Sequence, residues 1–438
     1  MTIKMIDRKQ SPRIKDAVEF DIKIPEIRAF SLDNGIKAYL VPAEEQETLQ
    51  VEWVFEAGNW YESANLLASS VNALLKNGTS RHSAHQINEM IEYYGAFLST
   101  QCNHEFASVI LHCLEKHVRD LLPVIREILT EAAYPESELE TYRQNKKQQL
   151  SVNLEKCDFI ANQYIDKYLF GEYHPYGRYT TMEAYDALQR DSLYAFYRKY
   201  YAFEDCRIFI AGKTPADFES LLNTHFGSDR WNENQDKAPS FGTAGQKDFP
   251  LQPALEKKYR IDHDPEGVQG AIRIARPFPN RFHPDVPKMR VLNTVFGGYF
   301  GSRLMSNIRE DKGYTYGIFS AMYLYNKAGS LNIMTEAGRE VCEPAVQEIY
   351  REMQRLRETP IENEELSLVR NYMIGSILGD LDGSFKVIRR WKNLILAGLD
   401  EQYFYQTIET IKTVSAETLQ GLAQKYFVAE DFYDLVVV

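Results

Sequence analysis

Two stretches decide how this chain is organised: DSLYAFYRKYYAFEDCRIFIAG, residues 191–212, and AETLQGLAQKYFVAEDFYDLVVV, residues 416–438. In each, an amphipathic helical run leads into an apolar, β-rich run. Lys199, Tyr200, Glu204 and Asp205 of the first correspond to Lys425, Tyr426, Glu430 and Asp431 of the second, at an offset of about 226 residues. Within about two residues, the same offset pairs a helix bearing Val118, Leu121, Leu122 and Ile125 with one bearing Val346, Ile349, Tyr350 and Met353. Both have the i, i+3, i+4, i+7 stripe of a helix that faces a core. Each is followed by a Pro-led break, YPESEL at 134–139 and TPIENEEL at 359–366, and then by another long helix. The pattern predicts two copies of one domain.

Working outward, residues 227–250 (GSDRWNENQDKAPSFGTAGQKDFP) are polar and rich in Gly, Pro, Ser and Asn, the composition of a linker. This predicts a first domain over 1–228, a linker over 229–250 and a second domain over 251–438. RAFSLDNGIKAYLVP reads as a β-hairpin turning at Asp33, Asn34 and Gly35, LQVEWVF as a third strand, and FASVILHCL and YTYGIFSAMYLY as further strands. Strand runs followed by helix runs predict an α+β fold, each domain a mostly antiparallel sheet with helices packed on one face.

Composition narrows the functions available. The chain has 438 residues, 44% hydrophobic and 26% charged, enough to bury a sizeable core. Fifty basic residues against sixty-two acidic give a net charge of -12, and no basic block could track a phosphate backbone, which argues against nucleic acid as a partner. The first twenty residues interrupt every apolar pair with a charge and so lack the h-region of a signal peptide, and no run nears the roughly 18 apolar residues of a spanning helix. A cytoplasmic, non-membrane protein is expected. Five cysteines without a C-x-x-C suggest buried, reduced thiols and no thiolate zinc site.

The segment AGNWYESANLLASSVNALLKNGTSRHSAHQINEMIEYYG, residues 57–95, resembles the insulinase (pitrilysin, mitochondrial processing peptidase) family of zinc metallopeptidases. In that family a Gly-x-x-Tyr-Glu strand end precedes a helix carrying H-x-x-E-H, which closes in a Lys-Gly-Thr-like turn. Gly58, Tyr61 and Glu62 match the opening, and Leu75, Gly78 and Thr79 the close. The resemblance places the motif on Ser69, Ser70, Val71, Asn72 and Ala73, where the sequence is SSVNA. The third ligand, a glutamate about 76 residues after the second histidine, falls on Gln149. A catalytic zinc takes about three protein ligands, imidazole or carboxylate, and a water that a nearby Glu deprotonates. Ser69, Ala73 and Gln149 cannot hold the ion and Asn72 cannot act as a base, so no zinc is expected in this chain.

His82 and His85 form a close pair, but Ser83 and Gln86 make a capping box that opens a helix there, and solvent-facing histidines are the expectation. His104 has no partner visible in the sequence and is read as structural, as is HPYG at 174–177. The glycines of FGGYFG, 296–301, follow a helical segment and no Lys succeeds them; they are expected to be C-cap glycines joining two helices, not a phosphate loop.

The second copy carries the other half of the resemblance, VLNTVFGGYFGSRLMSNIREDKGYTYGIFSA. In the family's C-terminal domain a Ser-Arg-Leu helix leads to R-E-x-x-G-x-x-Y, whose Arg and Tyr hold substrate. Ser302, Arg303 and Leu304 match the approach, and Arg309, Glu310, Gly313 and Tyr316 match the motif. A guanidinium offers a fork of donors and a phenol one more, both suited to a peptide carbonyl or oxyanion. In some pairs of this family one subunit bears the zinc motif and its partner supplies the Arg/Tyr element. The resemblance therefore implies a two-domain clam shell that is non-catalytic alone. It would pair with a zinc-bearing homologous subunit and bind peptide substrates through Arg309 and Tyr316. A scaffold, like the bc1-complex core subunits that resemble this family, and a peptide-binding module without proteolysis remain the alternatives.

Overall fold

The computed structural model describes residues 16–203, 206–228, 231 and 248–438. Glu204, Asp205 and most of the expected linker lie outside the described residues, as do residues 1–15.

The first half runs β1 (Arg28–Ser31), β2 (Lys37–Pro42), β3 (Thr48–Phe55), α1 (Leu67–Leu74), α2 (Ala84–Glu92), β4 (Phe97–Cys102), β5 (Ala107–Leu114), α3 (Val118–Glu131), α4 (Glu136–Leu154), α5 (Cys157–Phe170), α6 (Met182–Asp186), α7 (Arg190–Tyr200), β6 (Cys206–Gly212) and α8 (Phe218–Phe226). The second runs β7 (Lys258–Ile261), β8 (Gln269–Phe278), α9 (Val286–Asn293), β9 (Ile318–Leu324), β10 (Gly329–Gly338), α10 (Cys342–Glu358), α11 (Asn363–Gly379), α12 (Ser384–Leu396), α13 (Glu401–Thr413), α14 (Ala416–Tyr426) and β11 (Tyr433–Val437). The hairpin of β1 and β2 turns where the sequence placed it, with Gly35 at φ 91°, a conformation that favours glycine.

Among the described residues the strands form two sheets, ordered β1-β2-β6-β3-β5-β4 and β7-β11-β8-β10-β9. Apart from β1 the orders correspond strand for strand. In each sheet one pair is parallel, β2 with β6 and β7 with β11, and the other pairs are antiparallel. Even the register repeats. Glu52 of β3 lies opposite Phe209, and Arg273 of β8 lies opposite Leu435, about 226 residues on from Phe209. The chain therefore has two α+β halves of one design.

Each sheet packs its own helices on one face, as alternation demands: Leu49, Val51, Trp53 and Phe55 of β3 join Leu121, Leu122 and Ile125 of α3 in one core. In the second half Ile272 and Ile274 of β8 meet Val346, Ile349 and Met353 of α10. The opposite faces are covered by an exchange between halves. α5, from the first half, lies on the second sheet, where Ile165 and Leu169 share a core with Ala271, Ala275 and Leu435. α12, from the second half, lies on the first sheet, with Val387 and Ile388 against Val54, Phe209 and Ala211. The chain's opening segment adds to this tie. Ile22 and Ile24 are buried in the second half's core, and the Trp391 indole donates to the Pro25 carbonyl at 2.8 Å.

None of the five cysteines forms a disulfide; Cys113, Cys206 and Cys342 are buried, Cys102 and Cys157 half-buried. Among the described residues no helix is long and apolar enough to cross a membrane.

Candidate substrate-binding site

α1, the helix where the zinc motif would stand, is held by the residues that precede it. Gly58 approaches the loop at 103–105 so closely that a Cβ there would sit 2.5 Å from backbone atoms of Asn103, His104 and Glu105. Tyr61 is buried against Tyr200. Glu62 accepts from the Ala68 N–H at 3.0 Å, one of the orphan donors of the helix N-terminus, and lies 3.4 Å from Arg178. Burial outweighs these two partners and raises the Glu62 carboxyl to about 7. Gly58, Tyr61 and Glu62 thus brace α1.

The side chains at the four positions to which the resemblance assigns the zinc site do not fit the ion. Ser69 is half-buried and donates to its own helix, at Leu66 O, 3.1 Å. Asn72 is buried, and its amide nitrogen donates to the Tyr201 hydroxyl at 3.0 Å and to Ser108 O at 3.3 Å. Ala73 brings a methyl group. Gln149 lies on the exposed side of α4, its amide oxygen 3.4 Å from Lys146 Nζ. The helix pair itself is in place, because Ser70 Oγ donates to the Tyr142 hydroxyl of α4 at 3.3 Å. No cluster of three or more His, Cys, Asp or Glu able to hold a metal is present among the described residues.

The histidines divide. His85 is exposed in the first turn of α2, below the expected Ser83–Gln86 capping box. His82 departs from expectation: it is half-buried, its Nδ1 2.8 Å from Glu127. The pairing spans 45 residues, beyond the reach of local pattern. His104 also has partners, lying 3.2 Å from the Asn59 amide and edge-on to Tyr176 and Tyr325. Burial first and His174 second push His104 down to about 4, so it is neutral at physiological pH. His174 and Tyr176 of HPYG are buried, and the Tyr176 hydroxyl donates to Glu105 at 3.0 Å. Glu105 also accepts from the Asn326 N–H at 2.7 Å, between β9 and β10, and so joins the halves.

The second half presents the Arg/Tyr element. Helix α9 widens into a π-helical turn, Thr294–Gly298, and a second π-helical segment covers Met305–Asp311. The FGGYFG glycines join these two segments but do not serve as left-handed C-caps. A Cβ on Gly297 would meet Ser320 of β9 at 2.7 Å, so this glycine permits the helix to lie against the strand. Arg303 is clamped to Glu365 by two bonds of 2.8 and 2.7 Å. After the left-handed turn at Gly313, φ 65°, the chain returns so that Arg309 Nε donates to Tyr316 O at 3.1 Å. The Arg309 guanidinium lies 4.7 Å from the centre of the Phe300 ring. Tyr316 is 93% exposed.

Tyr316 lines a groove of about 770 Å³ between the halves, together with Asp158 and Asp166 of α5, Arg273, Phe319 and Tyr323. The structure thus brings Arg309 and Tyr316 together, while Ser69, Asn72, Ala73 and Gln149 are not among the lining residues. The α5 acids and Arg273 escaped the sequence reading. Their signal was the arginine in AIRIARPF, a charge inside an apolar strand that must find a buried partner. Arg273 pairs with Asp158 and donates to Asn162 at 2.8 Å.

The fold has counterparts among known proteins. Residues 187–373 match the Peptidase M16 inactive domain. The uncharacterized zinc protease YmxG of Bacillus subtilis is 23% identical over 410 residues, 93% of this chain and 97% of that protein. Among solved structures, a protease from Helicobacter pylori aligns with a TM-score of 0.83 at 15% identity, over 95% of this chain and 100% of that one. The peptidase M16 inactive domain from Pseudomonas fluorescens aligns at 0.80 and 19%, over 94% and 98%. With two like halves, a match of residues 187–373 to the Peptidase M16 inactive domain and the fold of the solved M16-type structures, the chain is a homologue of M16 peptidases, and its sequence contains no H-x-x-E-H.

Proposed function

We propose that this chain is the non-catalytic subunit of an insulinase-type peptidase, paired with a homologous subunit that carries H-x-x-E-H and zinc. Its part is to present Arg309 and Tyr316 to an extended peptide, the guanidinium and phenol donating to a backbone carbonyl and to the oxyanion that forms there. The observation that carries the reading is the display itself: Tyr316 is 93% exposed at the mouth of an inter-half groove, with Arg309 anchored to its carbonyl. An exposed tyrosine beside a fixed, aromatic-backed arginine contributes little to the core of this chain. Strand β4 ends the first sheet beside α1, and its free edge could accept an extended peptide by main-chain hydrogen bonds. We place the domains at 1–228 and 251–438 with a linker at 229–250. We place the assembly in the cytoplasm, since five cysteines that form no disulfide suit a reducing compartment.

The test is cleavage of a quenched peptide library by the purified chain alone, by an H-x-x-E-H homologue from the same cell, and by the two together. Cleavage that needs both, and that falls at least tenfold with Arg309→Ala while the pair still co-elutes, is expected. Chelator-sensitive cleavage by this chain alone would overturn the reading. Turnover unchanged by Arg309→Ala would remove the role given to that residue, and peptide affinity without turnover would favour a binding module.

A further inference from the structure

A second cavity, of about 520 Å³, lies within the second half, walled by α9, α11, α12 and α13 and distinct from the groove at Tyr316. Its apolar side includes Met373, Ile377, Phe404 and Ile408. Its polar side holds Arg290 and Arg390, one on α9 and one on α12. Arg390 is compensated in part: Asp380, itself about half exposed, sits 3.3 Å away. Arg290 is half-buried, and among the described residues no acidic side chain pairs with it. A third arginine, Arg281, reaches the cavity but is committed, donating to Leu324 O at 2.8 Å and lying 3.7 Å from Glu105.

A half-buried guanidinium without a counter-charge is unfavourable, and a second one nearby raises the cost. Burial lowers the Arg390 pKa, and the neighbouring Arg290 and Arg389 lower it further against the pull of Asp380. An anion placed between Arg290 and Arg390 removes that cost. Because Asp380 already offsets one of the two cations, the anion that balances the site carries a single charge, which disfavours a phosphate dianion. The volume is that of a small-molecule pocket, and the apolar wall requires an apolar body attached to the charge.

We propose that this cavity binds an apolar group bearing one carboxylate, the carboxylate between Arg290 and Arg390 and the apolar body against Met373, Ile377 and Phe404. Two sources share that chemistry, a medium-chain fatty acid and the C-terminus of a peptide ending in an apolar residue. Neither the family relationship nor the Arg309/Tyr316 reading bears on this site.

The experiment is calorimetric titration of the whole chain with decanoate and with acetyl-Leu-Leu-Phe, each beside its neutral counterpart, decanol and the peptide amide. Saturable one-to-one binding of at least one acid is expected, at least tenfold tighter than its neutral counterpart and weakened tenfold or more by Arg290→Gln. Binding of decanoate alone identifies the acyl source, and binding of the peptide acid alone identifies the C-terminus. Thr407→Trp, which puts an indole into the cavity, should abolish binding with thermal unfolding of both variants near that of the parent. Equal binding of acids and neutral counterparts, binding unaffected by Arg290→Gln, or no saturable binding of either acid overturns the proposal.

Discussion

The two halves share strand order and register but treat the exchanged helix in opposite ways. In the first sheet the buried charge is Glu52 on β3, 3% exposed, answered by Lys392 of α12 at 2.8 Å. In the second it is Arg273 on β8, also 3% exposed, answered by Asp158 of α5. Glu52 and Arg273 hold corresponding register positions, so the same place in the repeat carries inverted charge. Each sheet has two apolar faces to cover, and the exchange covers the second one. Were both pairs of one polarity, α5 would meet the first sheet's charge as readily as the second's. The inversion makes the exchange directional, a specificity that repulsion between like charges provides.

This comparison can be broken first at its buried charges. Lys392→Ala leaves Glu52 buried without its partner and should destabilise the chain by about 3 kcal/mol, seen as a lower midpoint in urea unfolding. Lys392→Glu, which sets two carboxylates together, should cost more, and adding Glu52→Lys should recover part of the loss. Full additivity in that cycle would mean that the pair is not coupled. A smaller effect should come from α1. Asn72→Ala removes two buried hydrogen bonds and should cost about 1–2 kcal/mol, whereas Ser69→Ala, whose hydroxyl bonds only its own helix, should fall within about 0.5 kcal/mol of the parent.

The halves also differ in titration. Glu62 and Asp166, both raised by burial to about 7, and His104 and His174, both lowered by burial to about 4, all lie in the first half. For a carboxyl whose folded value lies above its unfolded one, the folded state binds the extra proton, so stability rises as pH falls from about 7 toward 4.5. For the two histidines the sign is opposite: the neutral form is favoured in the fold, and that stability is lost as pH falls from about 6.5 toward 4. Glu62→Gln should therefore remove up to ~1.4 kcal/mol per pH unit from the slope of stability against pH between about 4.5 and 7, measured by urea unfolding across that window. An unchanged slope would show that Glu62 is ionised throughout it. The smallest effect on stability belongs to the second half's display: Arg309→Ala should leave unfolding within about 0.5 kcal/mol of the parent, and under the proposed function its consequence falls on turnover by the pair.

Much of this was legible in the chain itself. The helix at 118–131, the hairpin at Asp33–Gly35 and the duplication at about 226 residues follow from periodicity and turn chemistry, which are local. That the chain contains no H-x-x-E-H, and that Arg309 and Tyr316 stand seven residues apart, are matters of residue type, readable without coordinates. His82 shows where reading stopped, since Glu127 meets it from another helix 45 residues on. So does Gly297, whose reason is contact with Ser320 and not the cap that its neighbours suggested. The one-sided apolar pattern of α12 marks a buried face but does not say which sheet it covers, and α5 has no such stripe to read.

Alone, then, the sequence determined the repeat and the fold class, because these depend on spacing and on the periodicity of apolar residues. The tertiary structure decided that α5 and α12 change sides, that Glu105 joins the halves, and that Arg290 faces a cavity without a counter-charge. Those depend on which distant surfaces meet, and a charge is costly or useful only once its surroundings have excluded water.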